Sequence, residues 1–467
     1  MGEDPLRCKI INHMKILLTT HVFAPEFSGG TGILVHDIAL SLMKRGHEVL
    51  VVTGHPGSAE LEVGDCFDEY EIDSIHVVRY KRGRILPGQE TNPMRLHYLN
   101  RSFEVEFRRL LAQFGPDVVH FHHLERLSVT AVDACRERGT PAFFTATDYW
   151  CICPTYTLLL NDGRICGGPV HDAANCLKHL AAATPRASWA THALSHVPTR
   201  IVGVGMSKLK SMATNFSGGV GYAQALAQRG EAIASRLPLL EKIFVPTRFA
   251  QTVLERNGIR EGRFRVLPFG LRVDGYNNRV RRRGDGVLVL GFIGSLQAHK
   301  GVHVLLEAMR RLPEAGPIEL RIYGVAPAGG ESYLLGLQRV ASGDSRIAFR
   351  GIFENRQIAE VLDGIDALVV PSLWHENMPL VSLSAQAAAC PLIASDIGGL
   401  SDVVEHEKNG LLFTPGSSVG LAEVIMRVLT EEGLLSRLSS QAVHPLDMER
   451  YVDELESEYR HACESLN

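Results

Sequence analysis

Three short segments of the chain hold residue types suited to gripping a phosphate or a diphosphate. Gly29-Gly30-Thr31-Gly32 lies between a strand-like run and a helix-like run. Glycine lets backbone come close to a ligand, and a helix N-terminus offers unpaired N–H groups to an anion. The spacing is not the dinucleotide fingerprint, because Val35 stands where its third glycine belongs and Thr53-Gly54 ends the second strand without an acid. The cluster therefore reads as a phosphate loop or as a tight turn. Gly294-Ser295-Leu296-Gln297-Ala298-His299-Lys300-Gly301 follows a second strand-like run. Lys300 is either a counter-charge for a diphosphate or an exposed surface lysine. The third segment, Pro371 to Leu380, follows the apolar run Ala367-Leu368-Val369-Val370. Pro379 suits a first helical turn, which leaves the N–H groups of Asn377, Met378 and Leu380 for an anion. Glu376 beside them is a ligand for sugar hydroxyls or a helix-start acid stabilised by the dipole.

Two further groups are metal or proton chemistry in kind. Cys151, Cys153, Cys166, Cys176 and His179 fall in one stretch, the last two spaced Cys-x-x-His. Cys153, Cys166, Cys176 and His179 make a candidate tetrahedral structural zinc set, with His171 as a competitor, and free loop thiols are the alternative. Pro116-Asp117-Val118-Val119-His120-Phe121-His122-His123 ends another apolar strand. Core packing accounts for any one of its histidines. As a group, His120, His122 and His123 with Asp148 are candidates for substrate contact, His122 as a catalytic residue.

These residues need a scaffold, and the periodicity supplies one. A strand at 15–20, a helix from about Thr31 to Arg45 stopped by Gly46, and a strand at 48–53 form a βαβ unit. Further strands are expected at 117–121, 141–146 and 242–245, with an irregular Cys/His-rich insertion at about 149–240. Residues 274–285 read as a linker. Beyond it, strands at 287–293, 319–323, 347–349, 366–370 and 391–394 alternate with helices at 301–311, 331–341, 355–363 and 379–389, and 447–467 is an amphipathic helix. Such alternation predicts a parallel, doubly wound α/β sheet with its ligand at the carboxyl ends of the strands.

At 467 residues, two or three domains are expected. Apolar residues are 45%, charged residues 21% and the net charge is −4, so no global field draws in nucleic acid. Nine cysteines and no signal-type leader fit a reducing cytoplasm, and residues 1–13 carry no fold signal. No run approaches the ~18 apolar residues that span a bilayer, so membrane contact is expected to be peripheral at most. The basic runs Lys81, Arg82, Arg84 and Arg279, Arg281, Arg282, Arg283 read as solvated loops or as phosphate contacts. Segment 81–115, which adds Arg95, Arg101, Arg108 and Arg109 around Leu96, Leu99, Phe103 and Phe107, is a helix face on its own core or a membrane-facing surface.

Taken in order, the segments resemble family 4 glycosyltransferases of the GT-B fold, two Rossmann-like domains facing across a cleft. The resemblance runs through 23–30, 116–122, Val-Pro-Thr-Arg-Phe (245–249), Leu-Pro-Phe-Gly (267–270), 291–301, 374–380, Ala-Ser-Asp-Ile-Gly-Gly-Leu (394–400) and Asn-Gly-Leu-Leu-Phe (409–413). It is closest to the subgroup with Asp-Tyr-Trp followed by Cys-Pro. The resemblance implies a first domain at 1–273, completed by the helix 447–467, and a nucleotide-sugar domain at 284–446. It implies a retaining hexosyltransferase acting without a required metal on a UDP- or GDP-sugar, with a glycan, lipid-linked or small-molecule acceptor. Gly29, Gly30, Ser295, Lys300, Gly351, Ile352, Glu376, Asn377, Met378, Pro379, Leu380 and Ser384 would line the donor, Lys300 and Glu376 acting on the diphosphate and the sugar. Base recognition would fall near Gly324 and Gly351–Phe353.

The chain departs from that pattern at three positions. Ser384 stands where the family has a second, ribose-binding glutamate, Ser295 where it has an arginine, and Thr147 where it has a histidine before Asp148. His122 or His123, and His299 or a linker arginine, are the available substitutes. A donor-binding scaffold without turnover is the alternative. A nucleotide-sugar epimerase is a third reading, for which no acid/base set on both sugar faces can be assembled.

Overall fold

A computed structural model describes residues 13–25, 29–55, 67–81, 91–183, 189–259, 263–282, 286–327 and 329–465. Residues 1–12, residues 26–28 of the segment 23–30, Arg82, Arg84 and Arg283 lie outside the described residues.

The first sheet has eight strands: β1 (Lys15–Thr20), β2 (Glu48–Gly54), β3 (Phe67–Ile72), β4 (Ile75–Tyr80), β5 (Val118–Phe121), β6 (Ala142–Thr145), β7 (Lys242–Val245) and β8 (Phe264–Val266). Their spatial order is β3-β4-β2-β1-β5-β6-β7-β8, and all pairs are parallel except β3 with β4. The second sheet is wholly parallel. It holds β9 (Leu288–Ile293), β10 (Ile318–Tyr323), β11 (Ile347–Gly351), β12 (Ala367–Val370), β13 (Leu392–Ser395) and β14 (Gly410–Phe413) in the order β11-β10-β9-β12-β13-β14. Near-continuous burial of β1, β2, β5, β12 and β13 reflects helices on both faces. The chain order reverses between β1 and β5 and between β9 and β12, which is where doubly wound sheets bind ligands.

The periodic reading missed β3, β4, β8 and β14. The sequence of β3, FDEYEI, is a polar edge with no buried residue, and β8 has only three residues. The insertion expected to be irregular instead carries helices Ala174–Ala183, Trp189–His196, Thr199–Ser211 and Gly218–Ala234. Its small residues blur the helical period and leave a modest core of its own around Met206, Ala225 and Leu226. Helix Arg101–Phe114 buries Phe103, Phe107 and Leu111, while Arg108 and Arg109 pair with Glu137 and Glu106. No helix among the described residues is long and apolar enough to cross a membrane.

The last helix, Met448–Glu464, returns to the first sheet. Leu271 N donates to Leu446 O at 2.9 Å and Met448 N to Leu271 O at 2.9 Å, fixing the crossing. The helix then packs on Gly30–Lys44, whose C-cap residue Arg45 bonds Glu449 and Glu456 at 3.0 Å each. Tyr451, Val452, Leu455 and Tyr459 are buried in the same core as Ile16, Leu18 and Val35.

The linker corrects the solvated-loop reading at Arg281, which is only 3% exposed. Its guanidinium donates to the carbonyls of Leu362 (3.0 Å), Asp363 (3.1 Å) and Ala388 (3.2 Å) and to the Asp363 carboxylate (3.1 Å). It staples the linker to the second domain. Arg281→Ala leaves those acceptors buried without donors and is expected to cost about 3 kcal/mol. A urea midpoint unchanged in the variant would show that the staple contributes nothing.

Candidate active site between the two sheets

The second-domain part of the site comes from the two strands that flank its switch point. β9 leads to the loop ending in Lys300, and β12 leads to Pro371–Pro379. The two loops touch: Leu373 N donates to His299 O at 2.8 Å. Lys300 Nζ bonds Glu376 Oε1 at 2.7 Å. Ser372 Oγ and Trp374 Nε1 donate to the same oxygen, each at 2.7 Å. The ammonium also lies 4.9 Å from the centroid of the Trp374 ring, a cation–π distance. Glu376 is 5% exposed. Burial pushes its pKa up, but the Lys300 charge and the three hydrogen bonds hold it below the usual carboxylate value. The acid is thus a fixed anion, and the lysine retains N–H bonds for a further oxygen. His299 packs edge-on to Trp374, and burial with the neighbouring Lys300 lowers its pKa to about 4. It is neutral at physiological pH and does not replace a missing cation.

The glycine-rich turn after β13 supports this loop from behind, Gly399 N donating to Glu376 O at 2.7 Å. Pro379 is the cap that precedes helix Leu380–Ala387, one position earlier than the first turn predicted from sequence. Ser295 accepts from the Gln297 side chain at 3.1 Å. Ser384 is buried, and Tyr276 of the linker donates to its hydroxyl at 2.9 Å. A hydroxyl pair therefore fills the position of the expected second carboxylate. Gly351 ends β11, and the following Ile352 is 73% exposed while Phe353 packs edge-on against Tyr323.

The first domain meets this surface directly. Asn377 Nδ2 donates to Ala146 O at 2.7 Å, just beyond β6. Phe249 packs against His375 with ring centroids 4.7 Å apart and planes tilted by 51°, and its N–H bonds Asp402 at 3.1 Å. Met378 accepts through sulfur from Phe269 N at 3.4 Å. A methyl at Gly30 would stand 3.9 Å from Leu380 Cδ1, so the Gly29-Gly30 turn faces the start of that second-domain helix.

Of the three histidines in and just after β5, the structure brings only His123 into a polar cluster at the strand ends. His120 is fully buried, bonded to Thr145 at 2.8 Å and to Tyr459 of the last helix. His122 is also fully buried, both ring nitrogens lack a partner, and burial drives its pKa to about 3. Neither can exchange a proton with the cleft in this arrangement. His123 Nε2 lies 3.1 Å from Asp148 Oδ2, and its Nδ1 accepts from Glu125 N at 3.0 Å. That geometry makes Nε2 the donor to Asp148 in the neutral ring. His21 lies 4.1 Å from the His123 ring centroid, and Glu125 pairs with His97 at 3.3 Å. Sequence reasoning passed over His21, His97, Glu125, Ser372 and Trp374. Ser372 and Trp374 sit at alternate positions before Glu376, which is the one available signal that all three share a face.

Burial opposes protonation of His123, but the charge and hydrogen bond of Asp148 outweigh it and hold the pKa above 6.5. Asp148 is held below its ordinary value against burial by the same partner. The raised histidine contributes stability fully present below about pH 6.5 and lost as pH rises through its folded pKa; the lowered aspartate contributes above about pH 4 and loses it on acidification. Asp148→Asn is therefore expected to lower the His123 pKa and to cost most between those limits. A histidine NMR titration with an unmoved His123 would contradict the pairing.

Residues 28–155 match a family model described as Glycosyltransferase Family 4, and residues 287–431 match one described as Glycosyl transferases group 1. An uncharacterized glycosyltransferase of Methanocaldococcus jannaschii is 23% identical over 439 residues, 92% of each chain. Among solved structures, sucrose-phosphate synthase from Thermosynechococcus elongatus superposes with a TM-score of 0.62 at 18% identity, over 96% of this chain and 98% of that one. Anabaena HepE in complex with UDP and glucose does so with a TM-score of 0.60 at 17% identity, over 95% and 99%.

Proposed function

We propose that this chain, a glycosyltransferase of the GT-B fold built from a family 4 domain and a group 1 domain, moves a hexose with retention from a nucleoside diphosphate sugar to a hydroxyl of a glycan or lipid-linked acceptor. The observation that carries this reading is the pair of half-buried Lys300 with buried Glu376 at the switch point of the second sheet. The fixed Glu376 anion suits sugar hydroxyls, which are hydrogen-bond donors. Lys300 and the N–H groups leading into helix Leu380–Ala387 suit the diphosphate, whose negative charge grows as the sugar leaves. No metal is required in this scheme, since the protein supplies the positive potential. In a front-face reaction the departing phosphate oxygen takes the acceptor's proton, so the first domain need only orient the acceptor. His123 and Asp148 are the groups placed to do so.

UDP-sugars are the first donors to try, because HepE was solved with UDP and with UDP-glucose. Calorimetry with UDP-, GDP-, ADP- and TDP-sugars should find one class that binds, with affinity lost in Glu376→Ala. NMR of the sugar released by slow donor hydrolysis should show the donor's own anomeric configuration. An inverted product would end the retaining assignment, and failure of every donor to bind would leave only a scaffold on this fold.

A further inference from the structure

The insertion that follows Asp148-Tyr149-Trp150 contains a small half-open cavity of about 20 Å³. Its wall includes Cys153, Cys166, Cys176, His179 and Asn175. Cys151 is not in the wall, and His171 is exposed against the helix Thr199–Ser211, on which a methyl at Gly203 would meet it at 2.6 Å. The fold has thus selected three thiols and one imidazole from the six candidates in the segment. Cys153 and Cys166 come from separate turns, whereas Cys176 and His179 sit three residues apart on helix Ala174–Ala183.

Two observations point to what the four side chains face. Cys166 Sγ accepts from Gly168 N at 3.4 Å and from the Asn175 side chain at 3.7 Å and donates to Gly168 O at 3.6 Å, contacts that hold the sulfur at the cavity wall. Beside the thiols lies Arg229, buried, with its Nε unpartnered, its guanidinium donating to the Trp150 carbonyl and lying over the Trp150 ring. A buried guanidinium requires a nearby negative charge, and no carboxylate among the described residues pairs with it.

We infer that Cys153, Cys166, Cys176 and His179 bind one zinc ion as a structural site. Three thiolates and a neutral imidazole around Zn²⁺ carry a net charge of −1, which is the counter-charge Arg229 lacks. Binding releases three thiol protons to solvent and oxidises nothing. Sulfur-rich tetrahedral coordination selects zinc over harder cations. Among the described residues no three such side chains stand in ligating array, and binding therefore requires these four to turn inward across the cavity. The site would fasten the 149–168 turns to helix Ala174–Ala183 and so hold Asp148 at the cleft. The inference stands apart from the donor assignment.

The test is metal analysis of the full chain purified without chelator. One zinc per chain is expected, reduced far below stoichiometric in Cys176→Ser and His179→Ala and unchanged in Cys390→Ser, whose thiol is buried in the second domain. Should the two site variants fail to fold, cobalt(II) loaded into the native chain should show sulfur-to-metal charge-transfer absorption. A native chain without zinc and without that absorption overturns the site. So does an intact mass showing two of these thiols joined as a disulfide.

Discussion

Lys300→Ala is expected to lower kcat/KM by about 10³-fold, the scale of losing one charged donor at a developing negative charge. It should also destabilise the fold by about 3 kcal/mol, because Glu376 would remain buried with one oxygen built to face a cation. The two effects separate in a second variant. Lys300→Met combined with Glu376→Gln removes both charges, so most of the stability should return while turnover stays lost. The pH profile of the native protein follows from the same pair. Glu376 is lowered below 4.5, so its contribution is present above that value and disappears as pH falls through the folded pKa. Chemical denaturation at neutral and acid pH, beside kinetics with the donor that binds, checks all three statements. A Lys300→Ala enzyme with native stability and turnover within a few-fold of native would remove the pair from the mechanism.

The other large effect concerns the backbone that creates the pair. Gly301 has φ +74°, and a methyl there would lie 1.8 Å from the carbonyl oxygen of Pro371. The loop after β9 and the loop after β12 are pressed together at that point. Gly301→Ala must therefore push the loops apart and accept a left-handed conformation, together about 3 kcal/mol or more. Parting them should break the Lys300–Glu376 contact and take activity down nearly as far as Lys300→Ala. Gly343, with φ +88° and no atom within 4 Å of where a methyl would stand, is the control. Gly343→Ala meets only the backbone strain, about 1 kcal/mol, and should leave kcat/KM unchanged. Equal losses in the two variants would show that the contact with Pro371 is not what requires glycine.

The resemblance to relatives with a second glutamate leaves a gap at Ser384, and the structure shows how the gap is filled. Tyr276 reaches in from the linker and bonds the serine hydroxyl. The serine is thus met by a hydroxyl 108 residues away, and the sequence around Ser384 does not announce it. The same holds for Arg281, whose neighbours Arg279 and Arg282 are surface residues and whose own side chain is a core staple.

The sequence by itself determined the α/β alternation and the loops that carry chemistry. Strand and helix periods differ, and ligand loops in such sheets must follow strands, so Lys300, Glu376 and the Gly29-Gly30 turn could be nominated from local pattern. Local pattern also placed β1, β2, β5 to β7 and β9 to β13, where apolar runs are continuous. It failed at the polar edge strand β3 and in the Ala- and Gly-rich insertion, where burial leaves no clear period. Tertiary structure alone decided the pairings. Lys300 and Glu376 are 76 residues apart, and only the strand order that sets β9 beside β12 makes them neighbours. Of His120, His122 and His123, the choice fell to side-chain alternation at the end of β5 and to the returning helix that covers one face with Tyr459. A strand's sequence fixes which residues share a face, but what covers that face is set by contacts hundreds of residues away, and those belong to the fold.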